Sequence, residues 1–211
     1  VGYQSLDANT VGAYNTALGF YALSANVDGD QNTAVGYNAI ANFEAASDGE
    51  GDNTAMGYRA GAFLSTGEDN TFIGSLAAQG VTDTRLTGDS NTAVGYSAGL
   101  LLQGAAANNV LVGAYAGDAF TTGSQNVAIG TSALSAATDA NYIVAVGQGT
   151  GAALNHSDAN GSVFVGKDAG ASVTSGIGNV AVGYSALGTE DTGDYNVAVG
   201  YNALAVQNVD G

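Results

Sequence analysis

Apolar and polar positions recur along this chain as one phrase, Asn-Thr/Val-Ala-Val-Gly-Tyr-x-Ala. Its glycines fall at Gly2, Gly19, Gly36, Gly57, Gly74, Gly95, Gly113, Gly130, Gly147, Gly166, Gly183 and Gly200. Seven of the eleven spacings are 17 residues and the others are 21, 21, 18 and 19, so the unit is a 17-residue repeat with insertions. The residue before each anchor glycine is apolar, from Val1 to Val199, and three before it stands a β-branched residue. That residue is Thr five times (Thr16 to Thr92) and then Val six times (Val110 to Val197). Two before the anchor Ala dominates, with Phe72, Leu111 and Phe164 as exceptions; four before it Asn dominates, with Ile143 and Ser162 departing. A fixed period of this length marks a stacked repeat architecture, and β-branched residues between Gly, Asn, Asp and Ser mark short strands joined by tight turns.

The expected fold is therefore all-β: a parallel β-roll or β-solenoid of about twelve coils, forming one repeat domain over residues 1–211. Coils stacked at about 4.8 Å make a rod of roughly 55 Å. Seventeen residues suffice for two strands and two turns, the second strand starting near the Ala three after the anchor. The Asn column is placed at a turn in a left-handed backbone conformation, where stacked side chains form a ladder. Alternation along a strand puts the Thr/Val, Val and Tyr columns on one face and the Ala and Gly columns on the other. The bulky face is expected to fill the coil. The small face, Ala181 and Gly183 included, is then left for a neighbouring chain to cover.

Composition narrows the function. The net charge is −16, with only Arg59, Arg85 and Lys167 as bases, which argues against nucleic acid and anionic membranes as partners. Gly is abundant but Pro is absent, which removes collagen, and no Cys is present for disulfide or thiol chemistry. No apolar run is long enough for a transmembrane helix. The chain opens inside a repeat, as expected of a segment of a longer fibrous protein.

The phrases Asn126-Val127-Ala128-Ile129-Gly130, Asn179-Val180-Ala181-Val182-Gly183-Tyr184-Ser185-Ala186-Leu187 and Asn196-Val197-Ala198-Val199-Gly200-Tyr201-Asn202-Ala203-Leu204 carry a family resemblance. They resemble the head repeats of YadA-like trimeric autotransporter adhesins and the Asn-Thr-Ala-Val-Gly-Tyr repeats of phage tail fibres. The resemblance implies a left-handed roll, a homotrimer, and attachment to a host or cell-surface receptor, glycan or protein, from a virion or bacterial surface. The adhesin repeat is nearer 14 residues, so the 17-residue unit favours the fibre.

Candidate chemistry is sparse. Asp48, Glu50, Asp52 and Asp69 lie before the Asn column with glycine spacing, an oxygen-rich arrangement suited to calcium. The plainer reading is a solvated acidic edge. The two longest units carry insertions at 42–52 and 79–89, expected to project side by side as candidate binding loops, with 43–49 removable at little cost. The column headed by Tyr3, Phe20, Tyr37 and Tyr58 is either a sugar-stacking strip or packing; alternation favours packing. His156 is the single histidine, and no second ligand or nucleophile elbow accompanies it. Gly147-Gln-Gly149-Thr-Gly151 lacks the helix and Lys of a phosphate loop. No enzymatic activity is expected. An ice- or ligand-binding solenoid is the more distant alternative, since its single Thr column stops at Thr92.

Overall fold

The computed structural model describes residues 1–45, 50–155, 160–189 and 192–205. Each repeat supplies one three-residue strand: β1 (Thr16–Leu18), β2 (Thr33–Val35), β3 (Thr54–Met56), β4 (Thr71–Ile73), β5 (Thr92–Val94), β6 (Val110–Val112), β7 (Val127–Ile129), β8 (Val144–Val146), β9 (Val163–Val165), β10 (Val180–Val182) and β11 (Val197–Val199). They form a single parallel sheet in chain order, each strand hydrogen-bonded to the next. Register follows the repeat columns, Thr33 opposite Thr54 and Val127 opposite Val144, and the insertions do not displace it. The protein is a parallel β-solenoid with no helix among the described residues.

The two faces of the strand lie opposite to the sequence expectation. In every strand the middle residue is buried and its two neighbours are partly or fully exposed. Ala181 is fully buried inside its own coil, while Val182 beside it is exposed. The Ala column is thus the core, and the Val and Tyr columns are the surface.

Among the described residues the expected second strand is also absent. After each anchor the chain curls through left-handed residues on either side of the next Ala; Tyr21 (φ 55°) and Leu23 (φ 51°) flank Ala22. Such alternation cannot pleat, yet coil-to-coil hydrogen bonds continue, as from Leu23 N to Ala39 O (3.0 Å) and Ala78 N to Ala98 O (2.8 Å). The curl brings Ala22, Ala39 and their equivalents against the strand alanines, so the interior there is narrow. Bulk enters instead from Leu23, Ile40, Leu134 and Leu187, and from a second column formed by Phe43, Leu64, Leu102, Phe120, Leu154 and Val173, all fully buried.

That second column changes the reading of the insertions. Phe43 is a core residue, so removing 43–49 deletes core as well as turn. In the other insertion Leu86 is fully buried and bridges Leu64 on one side and Gly104 on the other, leaving 82–85 exposed. The 79–89 insertion thus returns a large apolar side chain to the interior, whereas Phe43 keeps the repeat's own core position seven after its anchor.

The asparagine ladder forms, with one adjustment. The left-handed residue is the one before each Asn, such as Gln31 (φ 58°) or Gln125 (φ 62°), and the Asn itself opens the strand run. From Asn32 to Asn109 each ladder Asn accepts at Oδ1 from the backbone N and Nδ2 of the next: Asn91 from Asn109 at 3.2 and 3.0 Å, Asn109 from Asn126 at 3.1 and 3.1 Å. Nδ2 also reaches a turn carbonyl, as Asn109 to Gly123 O at 2.8 Å. A buried amide is tolerated because its polar atoms are satisfied. Where Ile143 interrupts the ladder it still donates its N–H to Asn126 Oδ1 (3.0 Å), and Ser162 Oγ resumes acceptance, from Asn179 N at 3.1 Å.

Candidate interaction face

The outward side of the sheet is the one extended surface the fold builds. Along it run the Thr/Val column, from Thr16 to Val197, and the apolar column from Leu18 to Val199. Leu18, Met56, Ile73, Ile129, Val182 and Val199 are all exposed. Neither column contains a charged residue, although the chain carries 19 acidic side chains. The strands repeat one backbone conformation in strict register, so the face is a regular ribbon of unpaired aliphatic and threonine side chains. A surface of that length without charge is the usual mark of an association site.

The chain bends at the anchor glycine, which sets the aromatic column on the corner bordering this face. Packing inside the coil, the expectation from alternation, does not hold: Tyr3, Tyr37, Tyr58, Tyr96, Tyr184 and Tyr201 are exposed. The rings stack on one another instead. Tyr3–Phe20, Phe20–Tyr37 and Tyr37–Tyr58 lie at 5.2, 5.4 and 5.4 Å between centroids, with interplanar angles of 22°, 9° and 13°. Ser75 interrupts the ladder, and it restarts at Tyr96, which meets Tyr115 edge-on at 5.3 Å. At the far end Tyr184 stacks on Tyr201 at 5.2 Å, and Lys167 holds its ammonium 5.3 Å from the Tyr184 ring while pairing with Asp168.

The acidic edge has work of its own. Asp30, Asp89 and Asp194 each accept a backbone N–H from the preceding coil, at Ala13 (2.6 Å), Glu68 (2.9 Å) and Ile177 (2.8 Å). Ser124 and Asn141 do the same at equivalent positions, accepting from Ala107 and Ser124. This second polar ladder was hidden in the sequence because the residue type varies while the acceptor oxygen does not. Of the four residues proposed for calcium, Asp48 lies outside the described residues. Asp52 accepts from Gln31 Nε2 at 2.5 Å and, like Asp69, adopts the left-handed turn conformation. Among the described residues no group of three or more ligating side chains comes together. His156 also lies outside them. Gly147, Gly149 and Gly151 occupy ordinary turn positions of the repeat, and Thr150 Oγ1 between them donates to Gly166 O at 2.7 Å.

Glu68 is the strained member of the acidic edge. Partial burial, together with Glu50, Asp89 and Asp69 around it, raises its carboxyl above the ordinary glutamate value of 4.5, and its hydrogen bond with Glu50 favours the protonated form. The native state thus binds this proton more tightly than the unfolded chain does. Its contribution favours the fold at low pH and is lost as pH rises from 4.5 through the higher folded value. Glu68→Gln is expected to raise stability at pH 7 by less than about 1 kcal/mol, solvent screening being strong at such a site. The gain should vanish at pH 4. Parallel thermal melts at the two pH values check it, and an equal gain at both would remove Glu68 titration as its source.

No helix of the described residues is long and apolar enough to cross a membrane. No protein-family model matches the chain, nor does any curated protein or solved structure.

Proposed function

We propose that the chain is a structural and adhesive fibre segment whose strand face is buried against identical copies, in the manner of a phage tail fibre involved in host attachment. The uncharged ribbon of β1–β11 carries this reading. It is the surface that water solvates least well, and it runs the length of the rod. Identical chains covering identical faces close most simply by cyclic symmetry, and the resemblance of the repeats favours three chains, left-handed coils and about twelve of them per chain. The Ala/Gly columns have no part in the contact; the Thr/Val and Val columns replace them. The charged edges stay outside the contact.

The test is assembly. Sedimentation of the wild-type chain is expected to give three times the 20.6 kDa chain mass. Val146→Lys and Val182→Lys place charges on the outward columns without touching the coil interior, so each should yield a folded monomer by circular dichroism. A wild-type monomer at micromolar concentration, or trimers unaffected by both substitutions, would remove this reading.

A further inference from the structure

The aromatic ladder has a missing rung. Tyr3, Phe20, Tyr37 and Tyr58 stack continuously, one ring per coil, and Tyr96 stands two coils beyond Tyr58. The coil between them carries Ser75 in the ring position. Two coil spacings separate Tyr58 from Tyr96, roughly 10 Å, which leaves space for one ring of ordinary thickness between them. Exposure agrees: Tyr58 at 51% and Tyr96 at 48% are each more open than Phe20 at 40% or Tyr37 at 45%, whose faces are covered on both sides. Tyr115 braces Tyr96 from the far side, and Tyr37 braces Tyr58. At the floor the Ser75 hydroxyl has no hydrogen-bond partner among the described residues, and neither phenol has one.

We propose that this notch binds a neutral pyranose ring, held between Tyr58 and Tyr96 with a sugar hydroxyl on Ser75. The chemistry selects that class. The negative faces of two aromatic rings attract the polarised axial C–H groups of a pyranose. The three free hydroxyls can exchange hydrogen bonds with its rim. The ring-position column holds no charge within this stretch, its nearest charged member being Lys167, and Arg59 beside Tyr58 lays its guanidinium over the Phe63 ring at 5.6 Å, so the column itself supplies no charge for an anionic sugar. Rings within the stacked run present only their edges and cannot offer a face; the gap is where faces are open. The inference rests on the adhesive reading and gives it a ligand class, at the border of the association face and apart from its Thr/Val and Val columns.

The experiment uses the full chain and a panel of methyl glucopyranosides, galactopyranosides and mannopyranosides in both anomers, read by saturation-transfer NMR and calorimetry. At least one is expected to bind the wild type. Ser75→Tyr completes the ladder with the residue this column usually carries, and is expected to abolish binding while keeping the fold. Tyr58→Ala should weaken binding by about tenfold, and Phe20→Ala, whose ring is stacked on both faces within the ladder, should leave it unchanged. Absence of binding across the panel, or equal binding by Ser75→Tyr, overturns the proposal. So does a change of oligomeric mass in Ser75→Tyr, which would mean that a neighbouring copy fills the notch. Loss of the trimer in the wild type would instead count against the fibre reading, which sedimentation of the same samples separates.

Discussion

Phe164→Ala is expected to lower the unfolding free energy by about 3–5 kcal/mol, and Gly170→Leu added to it is expected to restore most of that loss. Phe164 is the middle residue of β9, where most coils carry Ala, and it is fully buried. The extra volume is admitted by glycine at the curl position of its own coil and of the coil before. A Cβ on Gly170 would lie 2.7 Å from the Phe164 ring, and one on Gly151 would lie 3.2 Å from it. The same exchange recurs twice. Leu111 is flanked by Gly99 and Gly117, each 2.8 Å from it by the same measure, and Phe72 by Gly61 at 2.7 Å. Where the strands of its own coil and of the next both carry Ala, the curl position carries Leu23, Ile40, Leu134 or Leu187. Volume is thus conserved within the coil stack while its source moves between strand and curl. Leu is compatible with the backbone there, since Gly170 (φ 60°) shares its conformation with Leu134 (φ 53°) and Leu187 (φ 51°). Gly170→Leu alone should overpack and destabilise by about 1–3 kcal/mol. Chemical denaturation of the two single variants and the double variant checks the coupling. Additive losses would mean that the two positions do not share one cavity.

Gly113→Ala is expected to break the solenoid near its middle. Gly113 lies at φ 134°, a region essentially closed to side-chain-bearing residues, and an added Cβ would sit 2.7 Å from both the carbonyl carbon and oxygen of Gly130. Neither neighbour can yield, because both are backbone of the adjacent coil. Strain and overlap together should cost about 3–6 kcal/mol. In a stacked array, where each coil contacts only its neighbours, the damage is local. Unfolding should therefore separate into two transitions, one for the coils on each side, in place of a single one. Gly161→Ala is the control: at φ 76° it carries some strain, but nothing lies within 4 Å of the added atom. A Gly113→Ala melt no more perturbed than that of Gly161→Ala would show that coil spacing adjusts at the anchor column.

Both predictions rest on columns that are visible in the chain before any coordinates. The period, the parallel in-register pairing and the asparagine ladder were all legible, because stacking identical coils turns a spatial neighbour into a fixed sequence offset. The aromatic and aliphatic columns of the candidate face were legible as columns too, as was the gap at Ser75 between Tyr58 and Tyr96. The core column from Phe43 to Val173 and the polar ladder through Asp30, Ser124 and Asp194 were not, since residue type varies along both, Asn26 and Ala137 standing in the first. Above all, alternation separates two faces without saying which is inside. Bulk ordinarily marks the interior, and by that rule Val182 and Tyr184 would be core and Ala181 surface. Tertiary structure decides the opposite. The left-handed residues after each anchor curl the chain back so close to the strand that Ala fits between them in most coils, with Phe or Leu admitted only where the curl gives way to glycine or a small residue. The Val and Tyr columns therefore have no room inside the coil.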